Sequence, residues 1–440
     1  MAKKFLSFLG TGEYSECIYK CPNGSSVKTR FIQSALVEDL CREWTEDDEV
    51  IIFLTNASRN KNWEDSERLV EVSREEISPE ETIIRRSKKY FTGLRKELES
   101  LNNKFKIIDK TIPEGKNVNE IWEIFNVMME SINEGDEVIF DITHSFRSIP
   151  MLALVVLNYA KVIKNINILG IYYGAFEAKD KDGVAPVFEL KEFDRLLEWS
   201  YAINSFVKFG DSRQILNFVE REKKYDEKYR GDVGKFAERL NDFTSTILTC
   251  RGMILDDRRK SVKRAYKEMK EQLNKIREEN TLPQLKELLK LIKKGTEKFE
   301  YDDSLNIGLA FIDWCIKNNL VQQGYTALDE TIKTYMCIIN NLDEKDFYNR
   351  EKVVGKACVL FAKKEEEWEV NDNSLREKIK EVISKTPKKL LDLSQTIRDY
   401  RNDINHFGYR EDAKNHDALS RKLREFYGEF VNIIKNSYGG

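Results

Sequence analysis

Asp136-Glu137-Val138-Ile139-Phe140-Asp141-Ile142-Thr143-His144-Ser145-Phe146-Arg147-Ser148 is the stretch that decides how the first part of this chain folds. Asp136–Phe140 is a short apolar run with acidic residues at its start, which predicts a buried strand. Ser148–Ile163 follows as an apolar run long enough for a helix. Asp141 to Arg147 therefore form a strand-to-helix loop. This loop offers an acceptor, a hydroxyl, an imidazole, backbone N–H groups at a helix N-terminus and a guanidinium. Helix N-termini attract anions through unpaired N–H groups and the helix dipole. Arg147 adds the capacity for a charge-assisted bond to phosphate. A phosphate-bearing ligand follows from this chemistry, although Asp141 or Thr143 serving only as a helix cap fits the same residues.

Working outward, the first ~190 residues alternate apolar runs with helical patterns, which predicts a Rossmann-like, parallel α/β sheet. Strands are expected at Phe5–Leu9, Glu49–Leu54, Phe105–Thr111 and Ile166–Tyr173, with Val184–Leu190 as an edge strand. Tyr19–Thr29 reads as a small hairpin turning at Pro22-Asn23-Gly24. Helices are expected at Ile32–Trp44, Arg86–Leu101 and Asn117–Ile132. In open α/β sheets ligands sit beyond the carboxyl ends of the strands. Gly10-Thr11-Gly12, Thr55 to Ser58, Pro113 to Asn117, and Asp141 to Arg147 all follow strands and should meet at one crevice. Gly10-Thr11-Gly12 is not a full dinucleotide fingerprint, because Ser15 takes the third glycine position.

Beyond residue 190 only two prolines, Pro283 and Pro387, interrupt long amphipathic Lys/Glu-faced runs, which predicts an all-α region. Of the 440 residues 34% are charged, yet the net charge is only −3, so a global basic footprint for nucleic acid is absent. The seven cysteines show no metal-ligand spacing and read as free thiols in a reducing, cytoplasmic setting. The apolar run of Met1–Gly10 is too short for a secretory signal, and no stretch is long and apolar enough to span a membrane.

A second informative stretch is Arg401-Asn402-Asp403-Ile404-Asn405-His406, at the end of the helical run Leu390–Ile404, with one of only three histidines. On a helix a spacing of five places Arg401 and His406 about 140° apart, flanking one face. Asn402, four before His406, lies above it. A fixed cation, an amide and an imidazole around one small volume suit a phosphodiester. The same residues also fit a helix C-terminus whose basic side chain faces the last carbonyls.

Phe140 to Ser148 with Gly10-Thr11-Gly12 resembles the CARF domain of CRISPR-associated accessory proteins, and Arg401 to His406 resembles the R-x-x-x-x-H signature of HEPN ribonucleases. The chain thus resembles a CARF–HEPN ribonuclease of type III CRISPR systems. The resemblance implies a CARF sensor at 1–190, a helical middle region at 191–300 and a HEPN domain at 301–440. It implies that the sensor binds cyclic oligoadenylate, with tetra-adenylate favoured over hexa-adenylate. Gly10, Thr11, Gly12, Asn56, Ser58, Lys116, Asn117, Asp141, Thr143, His144 and Arg147 are its candidate contacts. It implies a homodimer or higher homo-oligomer with one composite site built from two copies of Arg401, Asn402 and His406. That site would cleave single-stranded RNA through its 2′-hydroxyl, with no metal or cofactor and no stable DNA binding. Two other readings stay open: a nucleic-acid-binding regulator without nuclease activity, and a sensor that also degrades its ring through Thr11, Asn56 and Lys116.

Overall fold

Alternating side chains along three strands build the first unit. Phe5 and Leu9 of β1 (Lys3–Leu9), Val50, Ile52 and Leu54 of β4 (Glu49–Leu54), and Ile139 of β8 (Glu137–Asp141) enter one buried cluster. Their neighbours Leu6, Phe8, Ile51, Phe53, Val138 and Phe140 enter a second cluster on the opposite face. This period of two requires cover on both faces, and hence the near-continuous apolar runs seen in the sequence. Helices α1 (Ile32–Leu40) and α3 (Leu94–Ser100) supply one cover, with α2 a three-residue turn at Asn56–Ser58. Helices α4 (Val118–Glu130) and α5 (Ile149–Lys164) supply the other.

The computed structural model describes residues 2–78, 81–101, 104–144, 149–252, 261–276, 284–409 and 411–438. The chain divides into two units, 1–195 and 196–440. The remaining strands of the first unit are β2 (Cys17–Lys20), β3 (Ser26–Thr29), β5 (Ser66–Ser78), β6 (Glu81–Phe91), β7 (Lys106–Thr111), β9 (Asn167–Gly174) and β10 (Val184–Glu189). The main sheet runs β3-β2-β10-β9-β8-β1-β4-β7. From β1 the chain steps outward through β4 and β7, then returns to the other side of β1 through β8 and β9, all parallel. The reversal lies between β1 and β8, and in open α/β sheets a crevice lies at the carboxyl ends of the strands at such a point.

Two expectations fail here. Val184–Leu190 is no edge strand: β10 pairs antiparallel with β9 and parallel with β2, because the β2–β3 hairpin adds outside it. Arg86–Leu101 is not one helix. Its first half belongs to β6, which pairs with β5 in a separate two-stranded ribbon, and only Leu94–Ser100 is helical. The partner that converts Arg86–Phe91 into strand lies some twenty residues upstream, outside any local periodicity.

The second unit is helical: α6 (Lys191–Phe209) runs into it, followed by α7 (Arg213–Glu222), α8 (Asp232–Leu248), α9 (Val262–Lys275), α10 (Leu285–Thr296) and α11 (Ser304–Lys317). Then come α12 (Val321–Ile339), α13 (Gly355–Leu360), α14 (Asn373–Lys385), α15 (Lys388–Asn405) and α16 (His416–Tyr438). Residues between Trp199 and Cys315 share one core, including Phe206, Phe243 and Trp314. Residues between Leu305 and Ile434 share another, including Tyr335, Ile397 and Phe430, and Ala327 packs against both. Among the described residues no helix is long and apolar enough to cross a membrane.

Candidate functional site

The first candidate lies in the first unit, at the carboxyl ends of the central strands. A cavity of about 280 Å³ is lined by Gly10, Thr11, Gly12, Tyr14, Thr143 and His144, with Thr55 and Ile112 from the ends of β4 and β7. Backbone geometry explains the glycine. Gly10 donates its N–H to the Tyr14 hydroxyl at 2.9 Å, and a Cβ on Gly10 would sit 2.9 Å from that same oxygen. Asn62, fully buried, donates its amide to the carbonyls of Gly10 (2.9 Å) and Gly12 (3.0 Å) and so pins the loop.

Asp141 shapes the facing loop from beneath. It is fully buried, accepting from Ser7 Oγ at 2.7 Å, and from the Thr143 N–H at 3.0 Å and Oγ1 at 2.5 Å. The bond to the N–H two residues on is an Asx turn. Burial pushes the Asp141 carboxyl above its ordinary range against the pull of these hydrogen bonds. Thr143 Oγ1 also accepts the Gly174 N–H at 2.8 Å, tying the loop to β9. His144 packs against Tyr14 with ring centroids 4.3 Å apart and planes tilted by 40°, and its buried Nε2 has no hydrogen-bond partner. Burial lowers its pKa to about 4, so the ring is neutral near pH 7. A neutral imidazole with a free nitrogen in a cavity can donate to or accept from a ligand.

Asp141, expected as a ligand contact, is buried behind the loop and does not line the cavity, and four other sequence candidates also stand away from it. Ser58 is buried and bonds back to Thr55, while Asn56 is exposed beside it. Lys116 pairs with Glu114 at 2.5 Å, and Asn117 caps α4 by accepting the Glu120 N–H at 3.0 Å. Arg147 lies outside the described residues. The roles of Tyr14 and Asn62 in the cavity carry no sequence signal, since both depend on loops that meet only in the fold.

The second candidate lies in the second unit, at the end of α15. Leu390, Leu393 and Ile397 bury one face of that helix. Tyr400 continues the face by stacking on Tyr325 at 5.9 Å and edging Phe426 at 5.2 Å. Arg401, four residues after Ile397, is thereby turned toward α12. There its Nη1 donates to the buried Asp329 Oδ2 at 2.5 Å, with Glu330 Oε1 3.9 Å away. His406 is the C-cap residue, exposed, and donates its backbone N–H to the Asn402 carbonyl at 2.9 Å. Arg401 and His406 thus share one helix end, the first half-buried and paired, the second open to solvent.

A charged network backs Arg401. The buried Lys333 reaches Glu330 at 3.0 Å, Glu351 at 3.1 Å and Asp329 at 3.8 Å. Arg350 bonds Glu330 at 2.8 Å and the Thr334 hydroxyl at 2.8 Å. Burial alone would raise the Glu330 carboxyl, but Lys333 and Arg350 outweigh it and hold it below its ordinary range. Burial alone would lower the Lys333 ammonium, but Asp329 and Glu330 hold it above. Glu330, Thr334, Arg350 and Glu351 also face a cavity of about 970 Å³. The spacing of Asp329 and Lys333, four apart on one helix with Glu330 beside them, is the sequence signal that could have drawn attention to this network.

Residues 4–177 match the family model described as CRISPR system endoribonuclease Csx1, CARF domain. Residues 195–306 match the model described as CRISPR-associated protein MJ1674, second domain. The chain is also 28% identical over 393 residues to CRISPR-associated protein MJ1674 of Methanocaldococcus jannaschii, covering 81% of this chain and 57% of that protein. It therefore spans little more than half the length of that relative. Together these matches support a CRISPR-related protein with a CARF domain at residues 4–177.

Proposed function

We propose that the chain is a ribonuclease switched on by a cyclic oligoadenylate bound at the β1–β8 crevice, cutting single-stranded RNA at a HEPN site built around Arg401 and His406. The observation that carries this reading is their placement: a guanidinium oriented by the buried Asp329 and an exposed imidazole at one helix end. The CARF match and the name of its family, an endoribonuclease, lend it weight.

In this reaction the ribose 2′-oxygen bonds to the neighbouring phosphorus as the bond to the 5′-oxygen breaks. A 2′,3′-cyclic phosphate and a 5′-hydroxyl result. His406 moves a proton, accepting it from the 2′-hydroxyl or giving it to the leaving oxygen. Arg401 stabilises charge building on the phosphorane oxygens; Asp329 engages one edge of its fork and leaves other donors for the anion. Asn402 sets the His406 backbone through its carbonyl. The nucleophile belongs to the substrate, so no metal-bound water is needed and DNA is spared.

A homodimer would supply the second Arg401 and His406. Met151, Val155, Tyr159 and Val162 form an exposed apolar stripe along α5 that supports self-pairing of the first unit. Of the three residues offered for ring degradation, only Thr11 lines the crevice cavity, which favours sensing over ring cleavage. The deciding experiment is an RNase assay with defined tetra- and hexa-adenylate rings in the presence of EDTA. Cleavage that a ring stimulates and Arg401→Ala abolishes is the expected result. Duplex DNA binding without RNA cleavage would favour the regulator instead.

A further inference from the structure

Two aromatic side chains sit where packing gives them no reason to be. Phe407 is 89% exposed and Tyr409 is 88% exposed, more than any other aromatic among the described residues. Phe407 follows His406 directly, and Tyr409 stands two residues further on. Phe407 holds φ +58° and Gly408 φ +73°, both left-handed. The helix ends in a Schellman motif, with Phe407 N–H bonded to the Ile404 carbonyl (3.1 Å) and Gly408 N–H to the Asp403 carbonyl (3.4 Å). Glycine ordinarily takes the first left-handed position, because a Cβ there is strained. Here phenylalanine takes it and glycine comes one residue later.

The turn is nonetheless tied down. Tyr409 donates its N–H to the His406 carbonyl at 3.1 Å, and the buried Asp403 accepts the Lys414 N–H at 2.8 Å, returning the chain to α15. Two rings are therefore displayed on a held turn beside the exposed imidazole, at a cost in both strain and hydration. Such outliers persist where function uses them.

We propose that Phe407 and Tyr409 are stacking platforms for the RNA bases beside the scissile linkage. This rests on the ribonuclease reading above and names how its substrate is held. Flat, exposed aromatic rings hold single-stranded RNA through base stacking, which tolerates any base, and preferences arise from stacking strength. Arg401 and His406 address only phosphate and ribose; the two rings address the bases and align the strand between them.

The test uses the full chain. Phe407→Ala and Tyr409→Ala should each raise KM for a ring-stimulated single-stranded RNA about tenfold while moving kcat little. Phe407→Trp should restore KM. Phe407→Gly should raise KM equally, with Tm unchanged or higher, because glycine relieves the left-handed strain. Binding of a 2′-O-methylated RNA carrying 2-aminopurine should quench its fluorescence with the parent chain and lose that quenching with the variants. Quenching that depends on the two rings, in a chain that cleaves no RNA, would sink the ribonuclease reading and keep only the rings' role in stacking RNA bases. Cleavage with unchanged KM in the alanine variants would overturn the stacking role. So would a lowered Tm in Phe407→Gly, or dissociation of an oligomer in sedimentation, which would assign the rings to packing or to a subunit contact.

Discussion

Arg401 and Asp329 meet across α15 and α12, Nη1 to Oδ2, at 2.5 Å, with Asp329 2% exposed. Lys333 stands 3.8 Å from the same carboxylate. The pair is therefore asymmetric. Removing Arg401 leaves Asp329 a second cation, whereas removing Asp329 strips the half-buried Arg401 of its one close carboxylate and Lys333 of one of three. Asp329→Ala should cost about 3 kcal/mol of stability, and Arg401→Ala only about 1 kcal/mol. Denaturant unfolding of both variants reads the difference, and equal losses would show that Lys333 does not compensate. In the proposed reaction Arg401→Ala should also cut kcat by about 10²–10³-fold.

His144 ties stability to pH. Its folded pKa of about 4 lies below the ordinary 6.5, through burial. Between these values the unfolded chain binds a proton that the folded chain refuses. Stability should therefore be fully present above about pH 6.5 and fall as pH drops toward 4, by up to about 3 kcal/mol. His144→Phe, which preserves the contact with Tyr14, should flatten that slope between pH 4 and 6.5. An unchanged slope in the variant would place the titration elsewhere.

Asp141 holds its loop through bonds to Ser7 and Thr143. Asp141→Ala unpairs these donors in a buried setting and should cost about 2–4 kcal/mol at roughly 1 kcal/mol or more per bond. Thr143→Val should cost less, since it spares the Ser7 bond and the Thr143 N–H bond. Chemical denaturation compares the two, and the reverse order would contradict the central place of Asp141.

Val162 is 81% exposed on the α5 stripe, so Val162→Asp should leave the folded unit's stability within about 0.5 kcal/mol. In the proposed homodimer it should shift sedimentation toward monomer. A dimer that survives the change would place self-pairing on another face.

Much of the first unit was legible because its order is local. Apolar runs of five to eight residues, separated by helical stretches, point to buried parallel strands, and strand ends rich in Gly, Thr and Asp point to a crevice. Gly10, Thr11, Gly12, Thr143 and His144 do line one cavity. Asp141, Asn56, Ser58, Lys116 and Asn117 do not, because following a strand does not tell whether a side chain turns into the crevice, inward to its own turn, or out to solvent.

By itself the sequence determined the α/β-then-α organisation and the helix end that carries Arg401 and His406, since both follow from periodicity and neighbour spacing. Only the tertiary structure decided that Arg86–Phe91 pairs as strand, that β10 is interior, that Asn62 clamps Gly10 and Gly12, and that Asp329 receives Arg401. Each of these joins residues at least a dozen positions apart. Such contacts form when buried polar groups and unpaired strand edges find partners during packing, and no local pattern encodes which partner that is.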